Sequence, residues 1–315
     1  MEAKFAIIVP IVALAVLIMG MTIIVFVWLF VITNDDASNA YAQIYIPPTS
    51  FPSPQQSFVP LPSQSLPLLP PVQTSPSLQT SPSVQTSSSG ISGIIIPLYI
   101  YPTSFAWNLV ANEKIMHPNV PIVTIINPNS GPGTYQDPNY VNGINKLRSA
   151  GVTVIGYVYT SYASRPITAV EQDVRVYKTF YPNINGIMFD EMNNVAGAGH
   201  ESYYSTVSNY AKALGLSFTV GNAGADVPSS FIGTVDTILN FERQGYPTIS
   251  YLDGWHSQYS KYRWGMTSYG DQYLSDAFVY YAKQYSGYIY ITDDVLPNPY
   301  DTLPSYFDRL IQDLD

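Results

Sequence analysis

The chain has 315 residues, of which only 11% are charged, and its formal net charge is −9 with no cysteine. Nucleic acid is not expected as a partner, because its recognition needs clustered Lys and Arg. Zinc hydrolases and serine or cysteine nucleophile enzymes are not expected either, since the sequence lacks a His-Glu-x-x-His pair, a Gly-x-Ser-x-Gly elbow and any cysteine. No metal or other cofactor is predicted. Because the chain has no cysteine, any extracellular domain must fold on its hydrophobic core alone, without disulfides.

Residues 1–36 are predicted to form a short cytoplasmic stub and a single transmembrane helix. The segment 5–33 is a run of 29 residues without a charge, which at about 1.5 Å per residue exceeds the roughly 30 Å hydrocarbon core of a bilayer. A cleaved signal peptide, ending near "AYA" at 40–42, is the less favoured alternative, because its apolar core would be about 7 to 15 residues long. Lys4 precedes the helix whereas Asp35 and Asp36 follow it, which predicts a cytoplasmic N-terminus and an extracellular C-terminal domain.

Residues 37–90 are predicted to be a disordered linker. The segment contains no Asp, Glu, Lys or Arg and is crowded with Pro, Ser, Gln and Thr, including the near-repeat "QTSPSLQTSPSVQTSSS". Its prolines resist helix and interior strand, and its few apolar residues cannot form a core. It is either a stalk that holds a domain away from the membrane or a spacer of no specific role.

Residues 91–315 alternate short apolar runs with longer segments, as parallel β/α units do. Eight such units in about 225 residues favour an α/β fold of the (β/α)8 TIM-barrel type over an open doubly wound sheet. The sixth unit has no clear helical period and is expected to be irregular. The predicted strands cover 93–101, 121–127, 152–160, 186–191, 217–224, 237–242, 262–269 and 287–294. The predicted helices include 140–150, 169–180, 203–214, 272–284 and 304–314.

Polar and aromatic residues end these strands, where barrel active sites lie. Asp190 and Glu191 end the fourth strand, and Glu242 ends the sixth. Helix capping does not readily explain the position of Glu242, because Glu is a poor N-cap residue. For Asp293 and Asp294 a role in a turn or cap is equally open. Candidate substrate-binding residues are strand-end side chains and one loop tryptophan, since aromatic faces suit sugar rings: Tyr99, Asn127, Tyr157, Tyr159, Asn222, Trp255, Asp293 and Asp294.

Glycoside hydrolysis requires at least two carboxyl groups that face one cavity. Neighbouring residues on a strand point to opposite faces, so only one of Asp190 and Glu191 is expected to enter the barrel mouth squarely. The structural alternative for this pair is a strand-end carboxylate that caps the next helix or binds a structural ion.

Several motifs stand in order along the chain: "GIIIPLYIYP", "IINPNSGPG", "YVNGINKLRSAGVTVIGYVYTSYASR", "GIMFDEM", "NFE" and "YIYITDD" followed by "NPYDTLPSYF". Together they resemble spherulation-specific family 4, the spherulin-4-like proteins, over nearly all of 91–315. The resemblance implies a (β/α)8 barrel and endo-acting hydrolysis of α-1,4-linked galactosamine or N-acetylgalactosamine in microbial exopolysaccharides. By position, the family's catalytic acids correspond to Asp190 and Glu191 of "FDE" and Glu242 of "NFE".

On this resemblance, Asp190 is expected to be the nucleophile, Glu242 the general acid/base, and Glu191 a carboxylate that tunes its neighbour's ionisation. A retaining, membrane-anchored extracellular glycoside hydrolase that binds a polysaccharide substrate is the predicted function. Two alternatives remain open: a surface protein that binds carbohydrate without turnover, and a structural surface component that uses the barrel as a spacer. The sequence leaves the oligomeric state open.

Overall fold

The computed structural model describes residues 90–315. The predicted transmembrane helix, and all but the last residue of the predicted linker, lie outside the described residues and stay predictions. Within 90–315, none of the helices has the length and apolar character needed to cross a bilayer.

Eight parallel strands pair in sequence order. The last strand returns to the first through a bridge between Gly93 and Tyr288, where the Ile289 N–H donates to the Gly93 carbonyl at 3.0 Å. The sheet therefore curls into a nearly closed barrel, which confirms the predicted α/β barrel of TIM type. The strands are β1 Ile94–Pro97, β2 Ile122–Ile126, β3 Thr153–Tyr159, β4 Gly186–Asp190, β5 Phe218–Asn222, β6 Thr237–Gln244, β7 Trp264–Tyr269 and β8 Tyr288–Ile291.

Two apolar clusters surround this sheet, because strands of a parallel barrel are buried on both faces. The larger cluster lies between the strands and the outer helices. The smaller one fills the barrel and fixes which residues point inward, since alternate residues of a strand share a face. Its buried members are Ile95, Val123, Ile125, Ile155, Met188, Val220 and Leu239. Tyr99 and Tyr157 pack against this inner cluster, and both therefore face the interior.

Seven α-helices occur in the described residues, and they are less regular than the strands. They are α1 Ala106–Met116, α2 Pro138–Ser149, α3 Ile167–Phe180, α4 His200–Ala213, α5 Ile249–Leu252, α6 Asp276–Ala282 and α7 Phe307–Leu314. A 3-10 helix, Ser229–Phe231, connects β5 to β6. The sixth unit is irregular, as predicted, with the short α5 followed by the 3-10 helices Trp255–Gln258 and Lys261–Arg263.

The helix predicted over 272–284 is shorter in the structure because its start is set by a cap. The Ser275 hydroxyl accepts a hydrogen bond from the Phe278 N–H at 3.3 Å, so helical geometry begins at Asp276. The helix α1, Ala106–Met116, was not among the predicted helices.

Candidate active site

Asp190 and Glu191 leave the end of β4 in different directions. Met188 belongs to the inner cluster, so Asp190, two residues later, points into the barrel mouth. Glu191 has φ of 52°, in the left-handed region that costs a non-glycine residue about 1 kcal/mol. Its carbonyl accepts hydrogen bonds from the Tyr162 N–H at 2.8 Å and the Thr160 hydroxyl at 2.9 Å. These bonds hold the turn that separates the two carboxylates.

Glu242 reaches the same mouth through a β-bulge in β6. Leu239 pairs with Gly265, whereas Phe241 pairs with the very next residue of β7, Met266. The extra residue reverses the alternation: Leu239 lies in the inner cluster, and Phe241 packs outside the barrel. Glu242 therefore points inward although it lies three residues after Leu239, as expected for a bulge that redirects a side chain next to a functional site.

Asn222, at the end of β5, joins the two inward carboxylates. Its Nδ2 atom donates to Asp190 Oδ1 at 2.8 Å and to Glu242 Oε2 at 2.6 Å. Because both carboxylate oxygens accept from the same nitrogen, they cannot be farther apart than the sum of these two distances. The trigonal geometry of the amide places the two oxygens about 5 Å apart. Retaining glycosidases hold their two carboxyl groups about 5 to 5.5 Å apart, whereas inverting enzymes separate them by about 6.5 to 9.5 Å.

Three tyrosines enclose this pair of carboxylates. Tyr300 donates its phenol proton to Glu242 Oε1, and its ring meets that of Tyr99 edge-on with centroids 5.8 Å apart. Tyr99 in turn meets Tyr157 at 5.9 Å. Burial, followed by the nearby carboxylates, raises the pKa of all three phenols well above the usual value of a tyrosine. Each phenol therefore keeps its proton at neutral pH and can donate a hydrogen bond.

The surroundings of Glu242 favour its protonated form. Burial raises the pKa of this carboxyl group most, and the negative charge of Asp190 raises it further. The hydrogen bonds from Tyr300 and Asn222 lower the pKa, but the net shift is upward. A carboxyl group with a raised pKa is what a proton donor to a leaving group requires.

Other residues predicted to bind substrate have partners in their own loops. The ring of Tyr159 is covered by the Arg165 guanidinium, whose central carbon lies 4.1 Å from the ring centroid. The Asn127 side chain accepts a hydrogen bond from the Gly131 N–H at 2.9 Å. A role for Tyr159 or Asn127 in substrate binding stays a prediction.

Asp293 and Asp294 follow β8 and bind groups of the loop that leads to α7. Asp293 accepts hydrogen bonds from the backbone and hydroxyl of Ser305. Asp294 accepts from the Val295 N–H at 2.8 Å and from the Thr302 hydroxyl at 2.9 Å. These contacts correspond to the turn and cap alternative, and substrate binding by either residue stays a prediction.

Trp255 lines an open groove of about 620 Å³. Its indole Nε1–H donates to Asp226 Oδ2 at 3.3 Å, and its ring lies 4.6 Å from that of His256. The groove is formed by the loops that follow β4, β5 and β6, the three strands that carry Asp190, Asn222 and Glu242.

Sequence reasoning missed Tyr300, which contacts Glu242 directly. The residue belongs to "NPYD", a motif already used for the family resemblance, so the signal was present. Sequence reasoning also missed the pair of Asp226 and His256, which lie 30 residues apart with Nε2 and Oδ1 at 2.7 Å.

Known proteins are similar to this chain in sequence and in fold. The curated protein Spherulin-4 of Physarum polycephalum is 38% identical over 154 residues, a match that covers 48% of this chain and 45% of that protein. The alignment thus spans less than half of that relative. A crystal structure of Aspergillus clavatus Sph3 in complex with GalNAc superposes with a TM-score of 0.64 and 26% identity, covering 73% of this chain and 99% of that one. A sequence model described as spherulation-specific family 4 matches residues 93–314. The chain belongs to spherulation-specific family 4.

Proposed function

We propose that this protein is a glycoside hydrolase that cleaves, within the chain, an extracellular polysaccharide containing α-1,4-linked galactosamine or N-acetylgalactosamine. The observation that carries the proposal is the pair of inward carboxylates, Asp190 and Glu242, held about 5 Å apart on the single amide of Asn222. Membership of spherulation-specific family 4, and the similarity to an Sph3 solved with GalNAc, support the class of sugar.

In the proposed first step, an Asp190 oxygen bonds to the anomeric carbon while the bond from that carbon to the leaving sugar breaks. The leaving oxygen takes the proton of Glu242, whose raised pKa suits this donation. In the second step, Glu242 removes a proton from water, the water oxygen bonds to the anomeric carbon, and the ester bond to Asp190 breaks. Two displacements restore the original configuration.

The neighbouring groups have separate tasks in this mechanism. Asn222 fixes the distance between the nucleophile and the acid, and Tyr300 orients the Glu242 carboxyl. Tyr99 and Tyr157 form an aromatic wall beside Asp190 for the sugar to pack against. Glu191 lies close enough to raise the pKa of Tyr157, so its charge acts on the polar groups beside Asp190.

The experiment that tests this proposal is hydrolysis by the purified full-length chain. Polymers of α-1,4-linked galactosamine and of its N-acetylated form are incubated with wild type, Asp190→Asn and Glu242→Gln, and new reducing ends are counted. Wild type is expected to release reducing ends, and both variants are expected to lose at least about a hundredfold in rate. Asp253→Asn, at an exposed carboxylate beyond α5, is the matched control.

The outcomes separate the alternatives. Binding of the polymer without new reducing ends would make the protein a carbohydrate-binding surface component. Neither binding nor turnover would favour a structural role. Proton NMR of the first product formed reads the anomeric configuration, and an inverted product would contradict the assigned roles of Asp190 and Glu242.

We also propose that the protein is anchored in the cell membrane by one helix with the barrel outside. The support is the uncharged run over 5–33 and the acidic residues that follow it. Treatment of intact cells with protease should remove the barrel domain, while carbonate extraction should leave the N-terminal segment in the membrane fraction. Release of the whole chain into the medium would contradict the anchor.

A further inference from the structure

The groove beside Trp255 has the composition of a sugar-binding site, and the proposed mechanism does not use it. Its volume is about 620 Å³, and it offers amide, hydroxyl, aromatic and carboxylate groups together. The groups that concern binding belong to Asn194, Asp226, Ser229, Trp255, Gln258 and Tyr259. We call this cavity the rim groove.

Asp226 is the charged group of the rim groove, and it is held rigidly. Its Oδ1 accepts hydrogen bonds from His256 Nε2 at 2.7 Å and the Val227 N–H at 2.8 Å, while its Oδ2 accepts from the Trp255 indole at 3.3 Å. The side chain is nevertheless 46% exposed, so Oδ2 keeps accepting capacity toward the groove. Within residues 90–315, Asp226 forms no ion pair with Lys or Arg.

His256 orients Asp226 from a buried position. The imidazole is only 3% exposed and is packed against the rings of Trp255 and Trp264. Its Nε2 faces Asp226, whereas its Nδ1 is buried and has no hydrogen-bond partner among the described residues. His256 therefore fixes the orientation of the Asp226 carboxylate beside the groove.

The loops that line the rim groove follow the strands that carry the proposed catalytic carboxylates. The Glu242 N–H donates to the Gly224 carbonyl at 3.1 Å, and a Cβ on Gly224 would lie 3.5 Å from Glu242 Cβ. Asp226 is two residues farther along, so its Cα lies within about 7 Å of the Gly224 Cα. Asn194 also lines the groove and is three residues after Glu191. Two loops thus run from the strands of the proposed catalytic residues to the groove.

We propose that the rim groove is a subsite for a hexosamine with an unsubstituted, protonated amino group, which Asp226 binds while the aromatic rings of Trp255 and Tyr259 flank the sugar. The proposal rests on the proposed function for the polymer, and it adds a preference for deacetylated over N-acetylated sugar at this position. An N-acetyl group carries no charge, so it would not form the charge-assisted hydrogen bond to Asp226.

The test measures binding, so it does not depend on turnover. Full-length Glu242→Gln is titrated calorimetrically with galactosamine oligomers and N-acetylgalactosamine oligomers of equal length. We expect it to bind the deacetylated oligomer about tenfold more tightly, as one hydrogen bond to a charged group allows. Adding Asp226→Asn should bring the two affinities together and leave the affinity for the N-acetylated oligomer unchanged, which also shows that the variant is folded. Adding Asp253→Asn instead is the control and should preserve the preference.

Other outcomes overturn the proposal. A preference that survives Asp226→Asn, or no preference in the parent, would remove Asp226 from substrate recognition. Should Asp226→Asn fail to fold, the parent's preference must still shrink between low and high salt, and a salt-independent preference would refute the charge argument. Absence of hydrolysis by wild type would refute the proposed function alone, whereas failure of the parent to bind either oligomer would refute both.

Discussion

Removal of the Asn222 amide should disable the proposed site more than any other change to a neutral side chain. Asn222→Ala takes away two hydrogen bonds to carboxylates, each worth about 1.5 to 3 kcal/mol. It also leaves Asp190 and Glu242 about 5 Å apart with no donor between them, so Asp190 would repel an ionised Glu242 by about 3 kcal/mol at an effective dielectric constant near 20. Loss of one such hydrogen bond in the transition state corresponds to a fall in kcat of about a hundredfold.

The pH profile gives this prediction a second, independent readout. The hydrogen bond from Asn222 lowers the pKa of Glu242, and the charge of Asp190 raises it. Without Asn222, Glu242 must hold its proton to a higher pH. The alkaline limb of kcat/KM should therefore move to higher pH in Asn222→Ala, because Glu242 is the proposed proton donor.

The assay is the release of reducing ends across a range of pH, with kcat and KM determined at each value. Asn183→Ala is the matched control, since that amide is exposed at the opposite end of β4 and donates to Asn145 at 2.8 Å. A variant of Asn222 that keeps the wild-type kcat, or whose alkaline limb moves to lower pH, would refute the role of the shared donor.

Three further substitutions test other parts of the structure. Tyr300→Phe removes a hydrogen bond that lowers the pKa of Glu242, so kcat should fall about tenfold and the alkaline limb should move to higher pH; an unchanged profile would contradict this contact. Burial raises the pKa of Asp236, but hydrogen bonds from a lysine and a threonine outweigh it and the net shift is downward. Asp236→Asn should thus cost about 1 to 2 kcal/mol at pH 7, and calorimetry should show the difference shrinking as pH falls below about 4, where the unfolded wild type takes up the proton before the folded one does. Gly156→Ala would place a Cβ 2.7 Å from the buried ring of Tyr177 and should lower the unfolding free energy by about 1 to 3 kcal/mol in urea, whereas a neutral effect would show that the ring can move.

The strands were predictable because both of their faces are buried. Continuous apolar runs such as Ile122–Ile126 leave little room for another interpretation once eight of them recur at regular spacing. Their carboxyl ends then locate Asp190 and Asn222 at one rim, by the rule that parallel strands share a direction. Local pattern was sufficient for this part of the site.

The direction of Glu242 and the contact with Tyr300 were not predictable from local pattern. The bulge in β6 is visible only in its pairing with β7, and a regular strand starting from Leu239 would turn Glu242 away from the mouth. Tyr300 lies 58 residues after Glu242, and the path of its loop depends on contacts with the rest of the barrel. The family resemblance indicated Glu242 but not its direction, and it did not single out Tyr300.

Glu191 lies next to Asp190 in the chain, and two substitutions at Glu191 can show which role it has. Of these two residues, Asp190 accepts a hydrogen bond from Asn222, while Glu191 adopts a left-handed conformation. Glu191→Gln keeps the size of the side chain and removes its charge. Glu191→Gly relieves about 1 kcal/mol of backbone cost but gives the unfolded chain a comparable gain in freedom, so the unfolding free energy should change little.

The two variants separate a tuning charge from a backbone role. If the Glu191 carboxylate tunes the polar groups beside Asp190, both variants should lose kcat to a similar extent, by about tenfold, while their melting temperatures stay near that of wild type. If Glu191 serves only to turn the chain after β4, Glu191→Gly should keep full activity because glycine favours the left-handed conformation. Full activity in both variants would remove Glu191 from the catalytic group and leave Asp190 and Glu242 as its two carboxylates.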